Sequence, residues 1–287
     1  MRYLMFLLLL ASCSCLSKDS LSAMVLIDNK WHVMLGVQNL ESYKFKLIDV
    51  ESDVLEFSIS PVINYMVFVS SDALLYKRTV FGTSDKERVL SWDNAKYTQL
   101  SFSSDGRLFA VRLSQGTSSS TQLVEIDIND DTYTVVVDKR TAQFTPHFAG
   151  NDVLYYSTAH CVNDCEKQIW EIWYHDSISG VQEQLTMLNS LSRSPSFHQI
   201  ENTVYFESNQ TGRPALWSLD VSGYNPPKLV RQMAGNIIDP SVSSSGQVYV
   251  IHQGINEDKI IYRDTKSQWS EIELIPGIRR IRNLNVW

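Results

Sequence analysis

Four cysteines in 287 residues, two of them within the first fifteen, leave one pair for the body of the chain. That excludes a scaffold built on disulfides and a structural zinc site with four thiolates. Clustered Lys and Arg are missing as well. The formal charge is -7 and no dense basic patch is visible, which argues against a nucleic-acid partner, because phosphate binding depends on grouped cations that displace counterions. No Gly-x-Ser-x-Gly elbow, no glycine-rich phosphate loop and no sustained helical periodicity occurs. What is present is the composition of a folded globular protein, 44% apolar and 20% charged, rich in the Val, Ile, Tyr, Phe and Trp that suit strands.

The longest apolar run, Tyr3 to Ala11, is too short for a membrane span of about 20 residues and follows one Arg, the layout of an export signal. Leu10-Ala11-Ser12-Cys13 resembles the bacterial lipobox, which implies a signal peptide over 1–12, acylation of Cys13 and a short anchor linker over 13–23. Cys15 fits this pattern worse, since Ser12 and not Leu stands three residues before it. Ser14 after the acylated position implies the outer membrane, periplasmic side.

An internal period organises the rest. Ile59 in EFSISP, Phe102 in LSFSSDGRLFAV, Phe148 in TPHFAGNDVLYYS, Phe197 in SPSF, Val242 in DPSVSSSGQVYVI and Trp287 in LNVW recur at intervals of 43, 46, 49, 45 and 45 residues. Each segment opens with a short apolar strand, turns at a stretch such as SSDG, AGND or SSSG, and continues into an alternating run and two further strands. Four strands in about 45 residues is the size of a propeller blade. Trp287 has no chain after it to complete a blade, and Met24–Ile27, Trp31–Val37 and Tyr43–Val50 have no first strand ahead of them. Joined, they make a sixth, composite blade that closes the ring and removes open sheet edges. The expected fold is all-β, a six-bladed β-propeller over 24–287.

Phe102-Ser-Ser-Asp-Gly106, and Ser208 to Gly212 followed by a strand ending in Asp220, resemble the repeat motif of the TolB-like propeller family. That resemblance implies a propeller that serves as a protein-protein interaction scaffold in the bacterial envelope. It also implies a stand-alone propeller, because strands begin about ten residues after Cys13 where TolB carries an α/β domain, and no peptidase domain follows Trp287.

Site candidates are few. Cys161 and Cys165, in AHCVNDCEKQIW between the second and third strands of the third blade, are expected to form a local disulfide in an oxidising compartment, with zinc involving His160 as the alternative. His147 and His198 flank successive anchors on opposite sides, so convergence on one channel metal is not expected and no cofactor is assigned. Asp130 and Asp131 read as turn residues. The loops that join one blade to the next surround one mouth of the channel, and Arg140, Arg193 and Arg280 in them are the candidates for contact with an envelope protein or peptide. The expectation is a non-enzymatic scaffold with a lipid anchor as its membrane link. The rival class is a propeller enzyme or glycan-binding protein that uses a channel metal.

Overall fold

A computed structural model describes residues 19–39, 42–48, 54–81, 85–113, 121–162, 166–223 and 225–287. The expected signal peptide, Cys13 and most of the expected linker lie outside these residues. Within them the protein is all-β: six four-stranded antiparallel sheets arranged as the blades of a propeller. Residues Ser20–Ile27 (β1), Lys30–Asn39 (β2) and Ser42–Ile48 (β3) begin the chain. Blade one follows as Val54–Ile59 (β4), Tyr65–Ser70 (β5), Leu75–Thr79 (β6) and Glu87–Arg88 (β7). Blade two is Lys96–Phe102 (β8), Leu108–Leu113 (β9), Thr121–Asp127 (β10) and Thr132–Val137 (β11). Blade three is Ala142–Gly150 (β12), Val153–Val162 (β13), Lys167–Asp176 (β14) and Gln182–Gln184 (β15). Blade four is Ser192–His198 (β16), Thr203–Ser208 (β17), Ala215–Asp220 (β18) and Lys228–Arg231 (β19). Blade five is Asn236–Val242 (β20), Val248–Gln253 (β21), Asp258–Arg263 (β22) and Trp269–Glu271 (β23). The last strand, Arg280–Val286 (β24), pairs with β1, so the sixth sheet runs β24-β1-β2-β3.

The apolar runs in the second strands are continuous, and the packing explains why. In β5, Met66 and Phe68 pack against the composite blade with Met24 and Val33, while Val67 and Val69 pack against blade two with Leu108 and Ala110. Both pleat faces are therefore buried, and alternation of polar with apolar residues disappears. Six apolar clusters fill six interfaces between neighbouring blades. Two of them flank the composite blade: Leu21, Ala23 and Val25 meet Tyr249 and Ile251 of blade five on one side, and Met24 and Val33 meet Phe57 and Met66 of blade one on the other.

The first strands β4, β8, β12, β16, β20 and β24 line the axis, each beside the next, with β24 returning to β4. Blades two to six carry a β-bulge in this strand, with a non-glycine residue in the left-handed region: Gln99 (φ 54°), Thr145 (48°), Ser194 (53°), Asp239 (48°) and Asn283 (54°). In three of these strands the next residue is proline (Pro146, Pro195, Pro240), which has no N–H to lose at an irregular position. The left-handed residue stands three positions before Phe102, Phe148, Phe197, Val242 and Val286. The sixth anchor is thus Val286, one residue before the expected Trp287. Trp287 instead exchanges two backbone hydrogen bonds with Ser20 (2.9 and 3.0 Å) and packs half-buried with the blade-one cluster. The slip arises because Val286 and Trp287 are adjacent apolar residues, and the bulge fixes which of them takes the anchor position.

The turns SSDG and SSSG after the anchors are tight reversals in which Gly106 and Gly246 adopt φ of 89° and 85°. A Cβ on Gly106 would lie 2.3 Å from Val62 of the preceding blade, so glycine serves both the turn and the blade-to-blade contact there.

Candidate functional site

The axial strands enclose a channel whose wall is tied together by two rings of hydrogen bonds, both made from the bulged strands. In the first ring the backbone N–H of each left-handed residue donates to a side chain of the preceding blade. Gln99 N–H bonds Glu56 Oε2 at 2.7 Å, Thr145 bonds Gln99 Oε1 at 2.6 Å, and Ser194 bonds Thr145 Oγ1 at 3.2 Å. Asp239 bonds Glu207 Oε2 at 3.0 Å and Asn283 bonds Asp239 Oδ2 at 3.1 Å. The left-handed conformation, unfavourable for residues with a Cβ, is thus accompanied at each of these positions by a bond to the neighbouring blade. In the second ring the anchor N–H donates to the side chain one position before the preceding anchor: Phe102 to Ser58, Val242 to Ser196 and Val286 to Ser241, at 3.0 to 3.2 Å. The same link in blade four runs from Phe197 N–H to His147 Nε2, at 3.1 Å.

Two cavities open from this wall. One, about 370 Å³, faces the loops that enter each blade and is lined by Glu56, Gln99, Thr145, Arg193 and Asp239. The other, about 400 Å³, faces the opposite end and is lined by Pro61, Phe102, Phe197, Ile200 and Trp287. Ser101, His147, Ser241 and Asn285 border both, so the second ring marks the waist.

The two ends differ in chemistry. Glu207, buried, is paired with Arg193, yet burial pushes its carboxyl up to about 7, with Arg193 pulling it down and the neighbouring Asp239 adding to the rise. Burial likewise raises Asp239 and Glu56, against the pull of Arg193 on the one and of the bonds from Thr98 and Gln99 on the other. Glu56 and Asp239 line this mouth beside Arg193, with Glu207 buried against the same arginine, so the wall here is rich in acceptors. The far mouth carries mainly aromatic, aliphatic and serine residues.

The two histidines nearest the axial anchors, His147 and His198, are committed elsewhere. Burial pushes His147 down to about 4, so its ring is neutral, and its Nε2 lone pair serves Phe197. His198 is buried with Nδ1 accepting from Glu201 N–H at 3.1 Å, which leaves its Nε2–H to donate to the Gly246 carbonyl at 2.9 Å. Among the described residues no group of three or more His, Cys, Asp or Glu is placed to hold a metal.

Of the residues singled out in the sequence, Arg140 is exposed in the turn between β11 and β12. Arg193 and Arg280 lie in strands rather than loops, and both are engaged. Arg193 Nε binds Glu207, and Arg280 binds Asp258 at 3.0 Å and the carbonyl of Gly254 at 3.1 Å, holding the β21–β22 turn. Neither acid could be anticipated as a partner: Glu207 is brought opposite Arg193 by strand register, and Asp258 reaches Arg280 from a strand of the neighbouring blade. Cys161 lies within β13 and is disulfide-bonded, while Cys165 lies outside the described residues. Asp131 is a turn residue, with φ of 53° and Oδ1 accepting from Leu90 N–H. The acidic residues of the mouth went unnoticed in the sequence, although Glu56 and Asp239 both stand three positions before an anchor, where the repeat itself marks the axis.

No protein-family model matches the sequence, and no curated protein matches it. Solved structures do. A protein assigned as TolB from Agrobacterium tumefaciens aligns over 92% of this chain and 92% of its own, with 16% identity and a TM-score of 0.65. TolB from Acinetobacter baumannii aligns over 93% of this chain and 66% of its own, with 13% identity and a TM-score of 0.70. A chain from a nidogen/laminin complex aligns over 93% of this chain and 98% of its own, with 10% identity and a TM-score of 0.68. The resemblance read from the repeat motifs is therefore matched in three dimensions: this chain shares the six-bladed propeller fold of TolB proteins.

Proposed function

We propose that the protein is a periplasmic, non-enzymatic interaction scaffold, tethered to the outer membrane through acylated Cys13 and stapled locally by a Cys161–Cys165 disulfide. Its partner, a protein or peptide of the envelope, docks on the mouth formed by the blade-entry loops. The observation that carries this reading is the polar cavity of about 370 Å³ at that mouth. It presents carboxyl, amide and hydroxyl groups to an incoming segment, while His147 and His198 are spent on contacts between blades. Such a surface suits a segment with donor or cationic groups, since a cation placed beside Glu56 and Asp239 favours their charged forms. The likeness to TolB proteins supports the reading, and so does a propeller of the same shape in a two-protein complex.

Trp170, half-buried, lines this mouth and bridges to exposed Leu191, and Arg140 is exposed in the loop that enters blade three. The test is capture from a solubilised native envelope on immobilised protein, with mass spectrometry of what is retained. A discrete partner held by wild type and lost by the double variant Arg140→Glu and Leu191→Asp, at unchanged melting temperature, is the expected result. Equal capture by the variant places the interface elsewhere, and one tightly held metal per purified chain overturns the scaffold reading in favour of a channel enzyme.

A further inference from the structure

Each blade ends on an outer strand whose far side carries unpaired backbone groups, and five of the six are blunted. β7, β15, β19 and β23 run two, three, four and three residues, and the seven-residue β3 carries Lys44 and Lys46. Short edges and edge lysines guard a sheet against pairing with another chain. β11 has neither: TYTVVV, six residues, is uncharged and rich in β-branched side chains. β10 pairs one side of it, and no described strand pairs the other. Thr132, Thr134 and Val135 (41%) are exposed, and Trp92 (58% exposed) stacks on Tyr133 beside the same edge, so apolar surface there is left uncovered.

The charges that flank β11 select its occupant. Asp130 and Asp131 precede the strand, and Lys139 and Arg140 follow it. Neither exposed Asp130 nor exposed Arg140 has an ion-pair partner among the described residues. A strand acidic at its start and basic at its end complements itself when run antiparallel. Antiparallel ladders alternate two kinds of residue pair, so a two-fold pair must set one residue against its own copy. With Thr134 in that place Asp130 meets Asp138, and with Tyr133 or Val136 there no opposite charges meet. With Val135 there, Asp130 meets Arg140 and Asp131 meets Lys139 at both ends of the ladder. We infer that β11 pairs antiparallel with β11 of a second copy about Val135, joining blade two of each into one eight-stranded sheet.

Purified full-length protein carrying Val135→Cys or Thr132→Cys is oxidised mildly, and the cross-linked peptides are identified by mass spectrometry. Both native side chains are exposed, so the fold tolerates either substitution. Paired about Val135, the two copies of that residue have Cβ atoms about 5 Å apart, within reach of a disulfide. The two copies of residue 132 are six residues apart along the ladder, about 20 Å. A 135–135 link in several-fold excess over 132–132 is expected. In sedimentation up to about 100 μM, where a small interface still associates, wild type should shift toward dimer with concentration. Val135→Lys sets two ammonium groups face to face at the two-fold and should stay monomeric at unchanged melting temperature. No excess of 135–135 over 132–132 links overturns the inference, as does a Val135→Lys variant that dimerises like wild type. A wild type that stays monomeric also overturns it and leaves the edge to an extended segment of a different protein.

Discussion

His147 shows how one position is reused for different purposes. Its counterparts in four other blades are Ser58, Ser101, Ser196 and Ser241, and three of those serines accept the next anchor's N–H as His147 does. Serine is therefore the natural replacement. His147→Ser is expected to retain the link to Phe197 and His147→Ala to lose it, leaving a buried N–H that costs about 1–3 kcal/mol. Equilibrium denaturation of the two variants, which differ by one oxygen, should separate them by about 1 kcal/mol, and equal stability would show that the ring bond contributes nothing. Glu207 offers a second test, through pH. An acid whose folded pKa lies above its unfolded value of 4.5 stabilises below that pH, and the contribution is lost as pH rises toward about 7. His147, pushed down from 6.5 to about 4, has the opposite slope, with stability present above 6.5 and lost as pH falls toward 4. Wild type is thus buffered across the overlap. Glu207→Gln removes one slope, so its melting temperature should gain on wild type from pH 4.5 to about 7; a constant offset would mean that the Glu207 carboxyl is not perturbed.

The axial strand is the element that organises everything around it, and its bulge places Arg193 against Glu207. Reversing the charge as Arg193→Glu sets two carboxylates together, one of them buried. The expected loss is a few kcal/mol, below the about 3–5 of a fully buried pair, because the guanidinium is half-exposed. Arg140→Glu, with no strand to disturb, should be nearly silent in the same melt, and a silent Arg193→Glu would mean the pair is not structural. This contrast also separates what the sequence reveals at this scale from what it hides. The period of about 45 residues, the Gly-containing turns and the composite blade were all legible, because spacing and turn chemistry are local and the apolar runs repeat them. The bulge was not, since Gln99, Thr145, Ser194, Asp239 and Asn283 share neither side-chain chemistry nor a tolerance for left-handed backbone. The role of Arg280 was hidden for a related reason: it stands 22 residues from Asp258, in another strand, and reads as a loop residue when register is unknown.

At the scale of the whole molecule the ring is closed by very little chain. Residues 283–287 pair Val286 with Leu21 and Asn285 with Ser22, and add the two bonds between Trp287 and Ser20. They also supply Leu284 and Val286 to the interface with blade five and Trp287 to the interface with blade one. Asn283 and Val286 tie the same segment to Asp239 and Ser241 of the neighbouring axial strand. Deleting the five residues therefore weakens both interfaces of the composite blade at once and bares β1 as an unpaired edge, a template for association with another chain. Trp287→Ala removes a single half-buried side chain from one of those interfaces and should cost less than the about 3–5 kcal/mol of a fully buried tryptophan. The deletion should exceed that figure, lowering the melting temperature by more than about 10 °C at the roughly 2–4 °C per kcal/mol of a domain near this size. Size-exclusion chromatography should show it associating where Trp287→Ala remains as wild type. A deletion variant that melts within a few degrees of wild type and elutes unchanged would mean that the first three strands hold the ring without β24, and closure by the last strand would then be incidental to the fold.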